Sequence, residues 1–220
     1  MTLVHTEVLV DTDALADAAA ALVADRILAS GDRFTFAVSG GRTPWAMFAR
    51  LAGFDLPWEK VEVFQVDERV APDGSQERNL TQLSAALPSA AVRLHAMPVG
   101  DADLDAAAAL YAADLPDRFD LVHLGLGPDG HTASLVPDDR VLDVVDRDVA
   151  LAGPYQGTRR MTLTYPVLDR AAEVLWLVAG ADKVSALRQL RAQDRSIPAG
   201  RVRTAHQVLL CDAAADGAPV

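Results

Sequence analysis

The chain has 220 residues, half of them apolar and 23% charged, which excludes a disordered segment and allows a core without disulfide or metal staples. Lys and Arg total 20 against 31 Asp and Glu, a formal net charge of −11. That balance excludes a diffuse binder of nucleic-acid phosphates, and an anionic ligand would need a local concentration of cations.

The alanine-rich start of the chain is interrupted by Asp11, Asp13, Asp17 and Asp25 and has no basic leader, so no signal peptide is expected. No run approaches 18 uncharged apolar residues, so no membrane span is expected. The single cysteine, Cys211, cannot pair within the chain and fits a reducing compartment, here the cytoplasm. Leu15, Ala18, Ala19, Leu22, Val23 and Ile27 recur at helical spacing. Phe34 to Val38 reads as a strand ending in Ser39-Gly40-Gly41, and Pro44 to Leu51 as the helix after it. A second strand covers Val61 to Val66, a helix Asp103 to Leu115, and a third strand Phe119 to Leu126. Arg160 to Tyr165 alternates as a strand does, Val174 to Ala179 is another apolar run, Asp182 to Leu190 is helical, and Val208 to Leu210 closes the series before a short tail from Ala213. Apolar runs alternating with helices imply an α/β fold, a doubly wound and mostly parallel sheet with helices on both faces. Without a linker or repeat, a single domain over 1–220 is the simplest organisation. In such sheets ligands lie outside the carboxyl ends of the strands.

Three loops at strand ends carry chemistry. In Ser39-Gly40-Gly41-Arg42-Thr43-Pro44, Thr43 is the expected N-cap and Pro44 the first helical residue. Two glycines, the helix start and Arg42 together suit a phosphate. Ser39 is not a nucleophile elbow, because Ala37 occupies the place of the first glycine. Asp67-Glu68-Arg69 can arrange a site or form an ion pair closing a loop, and Ser75 to Asn79 reads as a loop running into a helix. Gly125-Leu126-Gly127-Pro128-Asp129-Gly130-His131 matches a dinucleotide fingerprint formally. Pro137 follows too soon for the long helix that fingerprint requires. What remains is a glycine loop presenting Asp129 and His131, an orienting carboxylate beside the side chain best suited to proton transfer near neutral pH.

Other candidates read more plainly. His123 lies in a buried-strand pattern and is expected to be a satisfied core residue; His5, His95 and His206 have no glycine loop and no metal-ligand spacing. Trp45, Trp58 and Trp176 are expected in the core. Arg159, Arg160 and Lys183, each taken alone, read as surface cations, though Lys183 at a strand end can reach a crevice.

In order along the chain, SGGRTP, QVDERVAP with the later ERN, LGLGPDGHTASLVP, RMTLTYPVL and AGADKVSAL resemble the signature blocks of the 6-phosphogluconolactonase family. The IPA at Ile197 to Ala199 and the CDAAA from Cys211 extend the likeness over most of the chain, although the segment after Ala199 follows it loosely. The resemblance implies a glucosamine-6-phosphate deaminase-like sheet and hydrolysis of 6-phosphoglucono-1,5-lactone to 6-phosphogluconate, the second step of the oxidative pentose phosphate pathway. His131 would then be the general base and Asp129 its orienting partner. Ser39, Gly40, Gly41 and Thr43 would line the phosphate end, with Arg69, Arg160 and Lys183 as cations and Arg42 and Asp67 as further candidates. Backbone N–H groups of Gly125 to Gly130 are candidate oxyanion donors. The family needs no metal or organic cofactor. The expected partner is a small phosphorylated sugar lactone, with no nucleic acid and no membrane, and the chain a monomer or small homo-oligomer. Two alternatives stand beside this: a sugar-phosphate isomerase or deaminase, whose loop usually carries a glutamate where Leu135 and Val136 precede Pro137 here, and a non-catalytic sugar-phosphate sensor.

Overall fold

The computed structural model describes residues 3–87 and 90–218. In chain order the strands are β1 (Leu3–Leu9), β2 (Phe34–Val38), β3 (Val61–Gln65), β4 (Asp67–Arg69), β5 (Arg93–His95), β6 (Leu121–Leu124), β7 (Val149–Tyr155), β8 (Thr158–Leu163), β9 (Val174–Val178) and β10 (His206–Asp212). The helices are α1 (Thr12–Ala29), α2 (Arg42–Leu51), α3 (Asn79–Ala86), α4 (Leu104–Asp114), α5 (Tyr165–Asp169), α6 (Val184–Arg191) and α7 (Ala213–Asp216).

Seven strands form one sheet in the order β1-β10-β9-β6-β2-β3-β5, and every neighbouring pair runs parallel. Both faces are covered, as the unbroken apolar runs require. Phe36 and Val38 of β2 pack with Leu15, Val23 and Ile27 of α1 and Met47, Phe48 and Leu51 of α2. Ala37, between them, joins the opposite core with Tyr111 of α4 and Leu187 and Leu190 of α6. This two-residue alternation is what a strand buried on both faces produces.

From β2 the chain builds outward through β3 and β5, then returns to the other side of β2 and builds through β6, β9 and β10. The strand order therefore reverses between β2 and β6. In an open α/β sheet a crevice forms at such a point, beyond the carboxyl ends of the two strands. The Ser39–Gly41 turn and the Gly125–His131 loop leave β2 and β6 at that point.

A second, three-stranded antiparallel sheet, β4-β8-β7, closes one side of the crevice. The sequence pattern carries only part of it: β8 matches the alternating Arg160–Tyr165 segment, whereas Asp67–Arg69, expected as a loop at a strand end, forms β4, β7 has no counterpart in the sequence pattern, and Tyr165 opens α5 instead of ending the strand. Strands β1 and β5 were also not anticipated. The tail from Ala213 is not structureless: Asp212 caps α7 through the Ala215 N–H at 2.7 Å and holds the Gly180 N–H at 3.0 Å. Among the described residues no helix is long and apolar enough to cross a membrane.

Candidate active site

A cavity of about 500 Å³ opens at the switch point. Ser39, Gly40, Gly41, Arg42, Asp67, Arg69, His131, Arg160 and Lys183 from the sequence reading all line it. Residues from the carboxyl ends of β2, β3, β6 and β9 and from within β8 thus converge. Thr43 does not line it, and Asp129 stands behind His131.

The β2–α2 turn departs from its expected form. The N-cap of α2 is Gly41, at φ 137°, and not Thr43, which lies inside the first turn. That backbone conformation suits glycine, and it starts the helix two residues earlier than the expected Thr43 cap would. No side chain caps α2 and its first turn holds no acid, so the first N–H groups are left to an external acceptor. Gly40 has a different purpose: a Cβ there would fall on the Asn79 side-chain amide.

Glu68 and Asn79 lie inside the Asp67-Glu68-Arg69 and Ser75–Asn79 motifs of the sequence, which assigns neither a role of its own, and they fix the wall of the cavity. Glu68 is fully buried. Its carboxylate accepts the backbone N–H groups of Arg69 (2.7 Å), Asn79 (2.8 Å) and Leu80 (2.7 Å), and the Gln65 amide (2.8 Å). It therefore caps α3, bonding the N–H groups of the first two residues of that helix. Asn79 in turn donates to the Asp67 carbonyl at 2.9 Å, while Arg69 donates to the Glu77 carbonyl at 2.6 Å. The available sequence signal was the acid at a strand end followed by the later ERN.

Strand register then sets two cations side by side, because Arg69 is the antiparallel partner of Arg160. Like charges directly opposite one another are unfavourable. Arg160 is buried, its Nε has no hydrogen-bond partner, and burial presses its guanidinium downward, against the pull of Asp67. Asp67 is itself buried 4.0 Å from Arg160. Burial pushes its carboxyl up, opposed by the Ser134 hydroxyl (2.6 Å) and Arg160. Lys183 reaches the cavity from the turn after β9 and pairs with Asp182 at 2.9 Å. Arg159, by contrast, is exposed.

The Gly125–His131 loop carries no helix after it, as Pro137 implied. Asp129 Oδ1 accepts His131 Nδ1 at 2.6 Å and the His131 N–H at 3.1 Å. Partial burial would raise the Asp129 carboxyl, but the hydrogen bonds from His131 and Tyr155 outweigh it and hold it below the usual carboxylate range. With Nδ1 engaged, Nε2 is the nitrogen able to take a proton. A Cβ on Gly127 would fall on the His131 ring, and one on Gly130, at φ 80°, would sit 2.5 Å from Ile197 Cβ. Both glycines are sites of close approach. The Gly127 and Gly130 N–H groups donate within the loop, to the His131 and Gly127 carbonyls at 2.8 and 3.0 Å, so these two are removed from the expected oxyanion donors. Tyr155 also joins this end and had no sequence signal.

His123 corrects its reading. It is buried, but neither ring nitrogen has a hydrogen-bond partner, and burial pushes its pKa down to about 3. Trp176 is fully buried, whereas Trp45 and Trp58 are half-buried and Trp45 borders the cavity. Among the described residues no group of three His, Cys, Asp or Glu side chains is placed to share a metal ion.

A family model described as glucosamine-6-phosphate isomerases/6-phosphogluconolactonase matches residues 10–211. The chain is 38% identical over 209 residues to a 6-phosphogluconolactonase of Nostoc sp., covering 87% of each. It is 35% identical over 228 residues to a 6-phosphogluconolactonase of Streptomyces coelicolor, covering 88% of this chain and 87% of the other. The crystal structure of 6-phosphogluconolactonase from Thermotoga maritima superimposes with a TM-score of 0.85 at 26% identity, over 96% of this chain and 99% of that one. A monomeric glucosamine-6-phosphate deaminase shares the fold, with a TM-score of 0.86 at 16% identity over 96% and 98%.

Proposed function

Because the chain belongs to the glucosamine-6-phosphate isomerase/6-phosphogluconolactonase family, we propose that it hydrolyses 6-phospho-D-glucono-1,5-lactone to 6-phospho-D-gluconate. The observation that carries this reading is the Asp129–His131 pair in one cavity with the opposed Arg69 and Arg160. A proton acceptor and a cationic wall in which two arginines stand side by side are what a phosphorylated neutral ester requires.

The lactone phosphate sits against Arg69, Arg160 and Lys183 and the uncapped start of α2, with Arg42 at the rim. Its charge relieves the repulsion between the two arginines, so binding energy at the phosphate positions the reacting carbon at the other end. His131 Nε2 takes a proton from water as the water oxygen attacks C1. The C1–O bond to the ring oxygen then breaks, and the imidazolium returns the proton to that oxygen. Asp129 holds the ring tautomer throughout. No covalent nucleophile is used, and general-base help of about 10²–10⁴-fold suits an already activated ester.

Leu135 and Val136 support hydrolysis over amino-sugar deamination. They are buried apolar side chains where a deaminase loop would supply a carboxylate.

The test is consumption of the lactone, generated in situ, measured above its spontaneous hydrolysis. Purified protein accelerates the loss, and His131→Ala removes most of the acceleration while a product analogue still binds. A rate equal to that of the enzyme-free control refutes the proposal.

A further inference from the structure

The β7–β8 hairpin reaches over to the His131 end and delivers Tyr155. Its hydroxyl donates to Asp129 Oδ2 at 3.1 Å and lies 3.4 Å from His131 Nδ1. The two oxygens of Asp129 therefore have different partners: Oδ1 serves His131 and Oδ2 serves Tyr155. The Tyr155 ring stands edge-on to the imidazole, with centroids 5.1 Å apart and planes at 60°. Arg160 lies over the Tyr155 ring, 5.3 Å from its centroid. One side chain thus touches both the proton acceptor and the cationic wall.

We propose that the Tyr155 hydroxyl is a positioning group for hydrolysis, one that fixes the plane of the Asp129 carboxylate and shares its negative charge with His131. The inference rests on the lactonase reading. A carboxylate bound through one oxygen can swing about that contact, and a loop aspartate has little else to stop it. A second donor, arriving from a different sheet, fixes the carboxylate at two points, and Oδ1 then aims the ring. Burial and the neighbouring Asp129 charge push the Tyr155 phenol up, so it stays protonated and remains a donor. The same hydrogen bond takes up part of the carboxylate charge that would otherwise favour the imidazolium. Without it, His131 would hold a proton to higher pH and be aimed less well.

The charged groups around the pair are Asp129 on its own loop, Arg160 on the hairpin, and Arg42, Arg69, Lys183 and Asp67 across the cavity. Tyr155→Phe alters none of these charges. It also keeps the ring edge against the imidazole and the face beneath Arg160, so a well-folded variant is expected and is checked by thermal unfolding.

The experiment measures kcat and KM for the lactone across pH 5.5 to 8.5 in wild type and Tyr155→Phe, and follows the His131 ring by NMR over the same range. The ring signal is identified by its loss in His131→Gln. Removing one such hydrogen bond should lower kcat about five- to tenfold with KM within about twofold. It should also move the acidic limb of kcat/KM, and the midpoint of the ring titration, upward by about half a pH unit. In an Asp129→Asn background Tyr155→Phe should have no further effect on the ring, because the hydroxyl acts through the carboxylate. An unmoved ring titration overturns the proposal, whether kcat falls or not, since packing alone can lower kcat. An equal shift in the Asp129→Asn background overturns it as well. The ring titration does not depend on turnover, so a wild type that fails to hydrolyse the lactone would count against the proposed function while leaving this test in force.

Discussion

At the His131 end of the cavity, Asp129 is bonded to both His131 and Tyr155 within 3.1 Å. At the other end, Arg69 and Arg160 face each other in register, and the buried Nε of Arg160 has no partner. One end is complete in itself and the other is not. A closed hydrogen-bond set fixes direction, which a proton acceptor needs. An open cationic set is unfavourable until an anion arrives, which is how a phosphate handle gains affinity. The proposed function assigns chemistry to the first and binding to the second, and substitutions can separate them.

The largest effect belongs to His131→Ala, with kcat down about 10²–10⁴-fold and KM little changed. Gly127→Ala should follow, although it removes no functional group. Its new methyl falls on the imidazole, so the ring must move, and a displacement of about 1 Å can cost about 10²-fold in kcat. Steady-state kinetics with wild-type kcat for Gly127→Ala would show that the aim of this end is not what limits turnover. At the open end, Lys183→Ala or Arg160→Ala should instead raise KM about 10- to 100-fold, the range of a lost charge-assisted contact, with kcat nearly kept. A fall in kcat at constant KM in both variants would erase the distinction between the ends.

The sequence exposed the parts made of short motifs. The parallel sheet followed from its apolar runs, and the switch-point loops from their glycines. Nine of the nominated residues converge in the cavity because each lies in a short motif at or near the end of a strand. What stayed hidden depends on distant pairing. β4 has three residues and is a strand only because β8 lies beside it. Glu68 acts through an α3 that begins eleven positions later. Tyr155 meets Asp129 across 26 positions, and nothing local in its hairpin signals that contact. Thr43 failed for a local reason: capping propensity names the best side chain, whereas the positive φ of Gly41 sets the helix start.

His123 gives the smallest effect on activity and serves as the control for both ends. It sits in β6 in register with Val38, directly before the two switch-point loops, by alternation its side chain shares the face of Leu121, and it does not line the cavity. Its ring is neutral and buried, with a folded-state pKa of about 3, while in the unfolded chain it titrates near about 6.5. Between those values the unfolded state binds a proton that the folded state refuses. Stability is therefore fully present above about pH 6.5 and is lost as pH falls toward about 3, at up to about 1.4 kcal/mol per pH unit. His123→Leu removes that proton and also an unsatisfied buried polar group. Urea unfolding at pH 7 and pH 5 should show wild type losing about 2 kcal/mol more than His123→Leu between the two conditions. At pH 7, kcat and KM should match wild type, because the substitution touches neither the aimed end nor the open one. Equal losses in the two proteins would mean that His123 finds a partner or solvent on protonation. A changed kcat would mean that the layer beneath the loops takes part in aiming His131.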